Sequence, residues 1–221
     1  MSDGDTIEYI YKETCSKLTT ETLAENGWVS PNAQSRLVVN TDETAGGRGN
    51  YVYFNANTDT RNVKVTFPEN MELTEDYILE MDFGLASGGG GSEFTVLTSD
   101  TVVKSNSAVT GDYLLQFKAP GKSNSGTTSM VWNVNGSETD TVTFTQRGTN
   151  PIWAHLKMTV HMDGDIDVVV TENDEEIYSN VLKAVNPDNL SAVGFNFNGV
   201  KAYGKCQFDN IKVYAASELP K

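Results

Sequence analysis

Positive charge is scarce in this chain: 16 Lys and Arg stand against 30 Asp and Glu, for a formal net charge of −14. That balance argues against nucleic acid, whose phosphates need Lys and Arg to displace counterions. It argues equally against an anionic membrane surface. No apolar run approaches the roughly 18–20 residues that cross a bilayer, and the N-terminal MSDGDTIEYIYK carries no signal-peptide core. There are two cysteines, Cys15 and Cys206, and two histidines, His155 and His161. Such a set is too sparse and scattered for a zinc site or a catalytic triad. No nucleophile-elbow motif is present. The Gly88–Gly91 run lacks the Lys-Ser/Thr of a phosphate loop. No internal repeat, Pro-rich tract or charge block divides the 221 residues, so one domain over 1–221 is expected.

What fills the sequence is period-2 alternation. Hydrophobic residues make up only 38%, with Thr, Asn, Ser and Gly filling the remainder. Many short strands with solvated faces have that composition. Strands are predicted at 6–18, 35–42, 51–57, 62–68, 76–86, 93–99, 112–120, 129–136 and 141–146. Two more flank the Asp163-Gly164 hairpin signal. The helical period surfaces only weakly, near residues 19–25. At the C-terminal end Phe195 and Phe197 alternate with Asn196 and Asn198, and Phe208, Ile211 and Val213 close the chain around Asp209-Asn210. The fold class expected is an all-β, antiparallel β-sandwich of jelly-roll type.

The order Trp153-Ala-His-Leu-Lys-Met-Thr-Val, Asp-Gly turn, Asp-Ile-Asp-Val-Val-Val, VGFNFN and FDNIKVY resembles the second half of concanavalin-A-like/laminin-G-like carbohydrate-binding domains. GWVSPNAQSRLVV followed by NYVYF is similar to non-catalytic sandwich modules of polysaccharide-degrading systems in gut clostridia and ruminococci. The resemblance implies a module that holds plant polysaccharide, starch first, on aromatic residues, in some members with a structural calcium. It also implies an extracellular or cell-surface setting, as a monomeric domain of a larger protein. Asp209, together with Asp5 or Asp3, would be the calcium ligands. The first and last strands often pair in jelly rolls, so Cys15 and Cys206 either form a disulfide or remain separate thiols.

Sugar binding needs an apolar platform for the ring and planar polar side chains for the hydroxyls. Trp28, in the loop-like ENGWVSPNAQ, is either a stacking surface or a plug at one end of the sandwich. Trp132 shares a face with Met130 and Val134, which reads as core; Asn133 and Asn135 would then face outward, toward sugar or solvent. Tyr113 and Gln116 lie on opposite faces of one strand, and Trp153 opens another. Glu80 and Asp82 share a face at i, i+2, a spacing that could serve a retaining glycosidase or a lyase. However, Leu85 stands where a Glu-x-Asp-x-x-Glu motif needs its acid/base, so a solvated or sugar-bonding face is the plainer reading. The remaining alternative is a module that contacts protein and buries its aromatics. The expectation is a carbohydrate-binding domain without catalysis.

Overall fold

The computed structural model describes residues 7–31, 34–44, 47–55, 61–69, 71, 73–86, 92–103, 109–119, 128–134, 138–145, 151–184, 186–199 and 205–219. Fifteen strands follow in order among them: β1 (Tyr11–Glu13), β2 (Trp28–Val29), β3 (Leu37–Asp42), β4 (Gly49–Asn55), β5 (Arg61–Thr66), β6 (Tyr77–Ala86), β7 (Ser92–Leu97), β8 (Tyr113–Ala119), β9 (Thr128–Val134), β10 (Glu138–Phe144), β11 (Ala154–Val160), β12 (Asp165–Glu172), β13 (Glu175–Lys183), β14 (Gly194–Gly199) and β15 (Lys205–Ala215). One sheet runs β13-β12-β11-β6-β15-β4-β3, with β1 added on β15 to make eight strands. The other runs β10-β9-β8-β7-β14-β5-β2. Among the described residues the strand pairings are all antiparallel, so the expected sandwich class holds. No helix among the described residues is long and apolar enough to cross a membrane.

Alternation decides which side chains meet between the sheets. On β11 Ala154, Leu156, Met158 and Val160 are buried, while His155, Lys157 and Thr159 between them are half-buried. The core is aromatic at its centre: Phe83 stacks on Phe94 with centroids 5.5 Å apart, and Phe195 meets Phe208 at 5.2 Å. At one side the two sheets are tied by Asp140 of β10, which accepts from Tyr178 Oη (2.7 Å) and Asn180 Nδ2 (2.9 Å) of β13.

Two expectations change. The predicted strand over 6–18 is a strand only at Tyr11–Glu13, because Cys15 takes a positive φ of 57° and a turn follows. And β13, EEIYSNVLK, went unread: as an edge strand it buries only Leu182, so its sequence shows no alternation. Cys15 and Cys206 are free, fully buried thiols rather than a disulfide. Burial pushes both up from the ordinary thiol range, which leaves them unreactive.

Candidate functional site

The sequence candidates do not assemble into one place. Trp28 is a core residue, not a platform: it is 0% exposed and packs on Phe195 and Phe208, centroids 5.6 and 6.0 Å away. Its position follows from Gly27, which adopts φ 83° after a short 3-10 turn, Ala24–Asn26. A Cβ there would lie 2.9 Å from the Thr66 carbonyl oxygen. The tight turn swings the indole between the sheets, so the plug reading holds. Tyr113 is half-buried at the start of β8; burial, with the Glu93 carboxylate beside it, pushes its phenol up to about 12. Gln116 is 4% exposed and donates to Thr95 Oγ1 at 3.0 Å, so it is not a surface contact. Trp132 and Asn133 stand on β9 opposite Asp140 and Thr139 of β10. Asn135, Asp3 and Asp5 lie outside the described residues.

Tyr113 and Gln116 belong to the seven-stranded sheet, whose outer face is polar but closed. Asn62, Glu93, Thr95, Asn196 and Asn198 are each 5% exposed or less. Asn196 Nδ2 donates to Asn62 Oδ1 (3.3 Å), and Asn198 Nδ2 to a Glu93 carboxylate oxygen (3.5 Å). The side-chain oxygens of Asn196 and Asn198 have no donor among the described residues.

The outer face of the eight-stranded sheet is different. A row runs across four strands through register partners: Thr171 on β12, His155 on β11, Asp82 on β6 and Asp209 on β15. Asp82 is the hub. One oxygen accepts from His155 Nδ1 at 2.9 Å; the other accepts from Asn210 Nδ2 at 2.8 Å and from the Arg48 guanidinium. Burial works to raise its pKa, but those donors and the Arg48 charge outweigh it and bring the carboxyl to about 2. An ionised carboxylate only accepts. His155 must therefore carry a proton on Nδ1, and in its neutral form the ring offers a lone pair on Nε2.

Local backbone sets the donors. Arg48 stands in the Gly-rich turn between β3 and β4, next to Gly49 at φ 74°. Its Cζ lies 4.3 Å from the Trp153 ring centroid, which Tyr51 meets edge-on at 5.4 Å. Asn210 sits in a β-bulge of β15 with φ 51°, and the bulge aims its amide at Asp82. Gly84, two residues beyond Asp82, leaves room for the segment before β11. A Cβ there would come within 2.9 Å of the Ile152 carbonyl oxygen and 2.8 Å of Gln207 Nε2.

Arg48 and Trp153 form one wall of an open cleft of about 450 Å³ that Asp82, His155, Thr171, Asn173 and Asp174 also line. Asn173 and Asp174 form the turn between β12 and β13, both at positive φ. Sequence reading placed Trp153 and Asp82 among the candidates, but not Arg48, Asn173, Asp174 or Asn210. A lone Arg among glycines was the one available signal.

Asp209 is 1% exposed, and its carboxylate accepts from the backbone (2.8 Å) and side chain (3.3 Å) of Asn210. Burial, with the Asp82 charge beside it, raises it to about 6. Among the described residues, no group of three or more His, Cys, Asp and Glu is placed to hold a metal ion. Glu80, the other acid of the expected carboxylate pair, accepts from Tyr214 Oη at 2.6 Å and lies 3.9 Å from Lys157 Nζ.

The architecture is that of lectin-like sandwich domains. The chain is similar to the legume lectin-like domain from Entamoeba histolytica, with a TM-score of 0.62 at 8% identity over 96% of this chain and 99% of that one. It is also similar to the carbohydrate esterase vb_24B_21 of Shiga toxin-encoding bacteriophage phi24B, with a TM-score of 0.60 at 14% identity over 95% and 99%. The carbohydrate recognition domain of Emp47p gives 0.57 at 11% identity over 97% and 99%. At such identities the likeness is one of fold. No family model matches the chain, and no curated protein matches it in sequence.

Proposed function

We propose that this chain is a carbohydrate-binding module, and that the cleft beside Trp153 holds the sugar. The observation that carries the reading is the composition of the cleft. An aromatic wall stands next to a guanidinium, an imidazole, a hydroxyl, an amide and two carboxylates, in an open cleft on a lectin-like sandwich. The Arg48–Trp153 wall offers apolar surface to a pyranose ring. Guanidinium N–H groups, His155 Nε2 and the Asn173 and Asp174 side chains offer partners to its hydroxyls. Shallow, wet sites of this kind bind modestly, so neighbouring modules would supply avidity.

The net charge of −14 favours a neutral polymer, and a plant glucan such as starch is the first to test. The setting that suits this is extracellular or at a cell surface. Cleavage of a glycosidic bond by Glu80 and Asp82 has less support. Asp82 has both oxygens occupied, and Glu80 is held by Tyr214. The pair is thus better suited to holding the sheet face in shape than to serving as acid and nucleophile.

Native affinity electrophoresis against soluble starch, xyloglucan, xylan, β-glucan and pectin tests the reading. Retardation by one polymer, lost in Trp153→Ala and in Asn173→Ala at unchanged melting temperature, is the expected result. No retardation by any of them would move the protein-contacting reading to first place.

A further inference from the structure

The geometry points to a second capacity in the same cleft: the Asp82–His155 pair is a general-base dyad that hydrolyses an O-acyl ester carried by the bound sugar. This goes beyond binding and rests on the reading that the cleft holds a sugar.

Hydrogen-bond accounting separates the two members of the pair. Asp82 spends one oxygen on His155 Nδ1 and the other on Arg48 and Asn210. It is therefore fixed from three sides and is itself an orienting group rather than a reactant. The imidazole it orients is not spent. Among the described residues His155 makes one side-chain hydrogen bond, through Nδ1. Its side chain is 36% exposed and lines the open cleft, so the Nε2 lone pair is available to a water or a ligand there. A neutral imidazole held through Nδ1 by a carboxylate is the arrangement that general-base catalysis requires.

Arg48 supplies the complementary charge. One of its terminal nitrogens is used by Asp82, and the guanidinium lies over Trp153 on the cleft wall. A cation there can receive a negative charge that develops on a carbonyl oxygen.

The chemistry selects the bond. Glycoside hydrolysis needs two carboxyl groups flanking the scissile oxygen; the cleft has Asp82 and Asp174, and both oxygens of Asp82 are already occupied. An ester needs only a base for water and a donor for the oxyanion. In the step, water's oxygen bonds to the acyl carbon as His155 Nε2 takes its proton. The carbonyl pair moves onto oxygen beside Arg48. The tetrahedral intermediate then collapses, the carbon–oxygen bond to the sugar breaks, and the departing sugar oxygen takes the proton back from His155. The products are a carboxylic acid and a free hydroxyl. No metal or redox partner enters.

Charged groups face His155 from each neighbour: Asp82 on β6, Arg48 on the β3–β4 turn, Asp174 on the β12–β13 turn and Lys157 on its own strand, with Asp209 behind Asp82. The base works in its neutral form, in which Nε2 accepts a proton from water.

The test measures acetate release from acetylated xylan, acetylated starch and 4-nitrophenyl acetate by the intact chain, alongside affinity electrophoresis on the same polymers. Release that falls at least about 100-fold in both His155→Ala and His155→Gln supports the dyad. Asp82→Asn should fall similarly. Absence of release above buffer on all three probes overturns it, as does release that survives both His155 substitutions. Retardation is read separately: kept binding without turnover sinks the dyad alone, whereas absent binding sinks the sugar-holding reading of the cleft.

Discussion

The outer faces of the two sheets carry the same alternation of polar residues, yet they are built for different things. On the seven-stranded sheet the amides are shut in: Asn196 and Asn198 are fully buried, and each has an oxygen with no donor among the described residues. On the eight-stranded sheet the central carboxylate has all its partners, and the groups around it are half exposed. Burying a polar atom without a partner costs stability, whereas satisfying one fixes geometry. A recognition site needs fixed geometry with open valences. By that criterion the Arg48–Asp82–His155 face is the better candidate, even though the amide-rich face looks more like a sugar surface in the sequence.

The largest expected effect sharpens the contrast between core and surface aromatics. Trp28→Ala should cost about 3–5 kcal/mol of stability, read by chemical denaturation. Trp28→Phe should cost far less, since it removes an indole N–H that has no partner among the described residues. If Trp28→Ala unfolds at the wild-type denaturant midpoint, the indole is not core and the comparison breaks.

The next effect sets two register partners against each other. The Asp82 carboxyl is held at about 2 in the folded chain, below its ordinary value. Its contribution is therefore present above the unfolded value near 4 and is lost as pH falls through about 2. Asp209 is held at about 6, above its ordinary value. Its contribution is full below about pH 4 and is lost as pH rises through about 6. At pH 7, Asp82→Asn should destabilise by about 1–3 kcal/mol, and Asp209→Asn should stabilise by about 1–2 kcal/mol. Melting curves of both variants at pH 5 and pH 7 check the signs. Equal signs at pH 7 would show that the two carboxylates share one environment.

The smallest effect concerns an ion cluster on the same sheet, beyond the cleft. His161 Nε2 lies 3.1 Å from Asp167 and its Nδ1 2.8 Å from Asp76, and these bonds raise its pKa against a small burial penalty. Its contribution is full below pH 6.5 and fades as pH rises through the raised value. All three side chains are about a third to a half exposed, so His161→Gln should cost less than about 1 kcal/mol at pH 6 and less still at pH 9. A larger cost at pH 9 than at pH 6 would reverse the sign.

Alternation made most strands legible, because burial on one face leaves a mark every second residue. β13 left none, since an edge strand that buries one residue has no face to declare. The cleft was half legible for a related reason. Asp82 and His155 could be placed on outward positions, but their pairing depends on β6 lying beside β11, and nothing local in either strand encodes that neighbour. Arg48 and Asn210 act through a turn and a bulge, where the chain leaves the period that sequence reading follows. Trp28 had two open readings, and the turn at Gly27, not the indole's own neighbours in sequence, decided between them.

The bulge at Asn210 has a mechanical side. Before it, β15 pairs with β4; after it, β15 pairs with β1, Tyr11 lying opposite Val213. Ile10 and Glu8 continue the clasp, to the Val213 carbonyl and the Glu218 carboxylate. The first and last described strands thus lie side by side. A pull applied to both would peel β1 from β15 one bond at a time, like a zipper, instead of shearing many bonds together. Under tension the clasp would open before the pairing of β6 with β11 that carries Asp82 and His155.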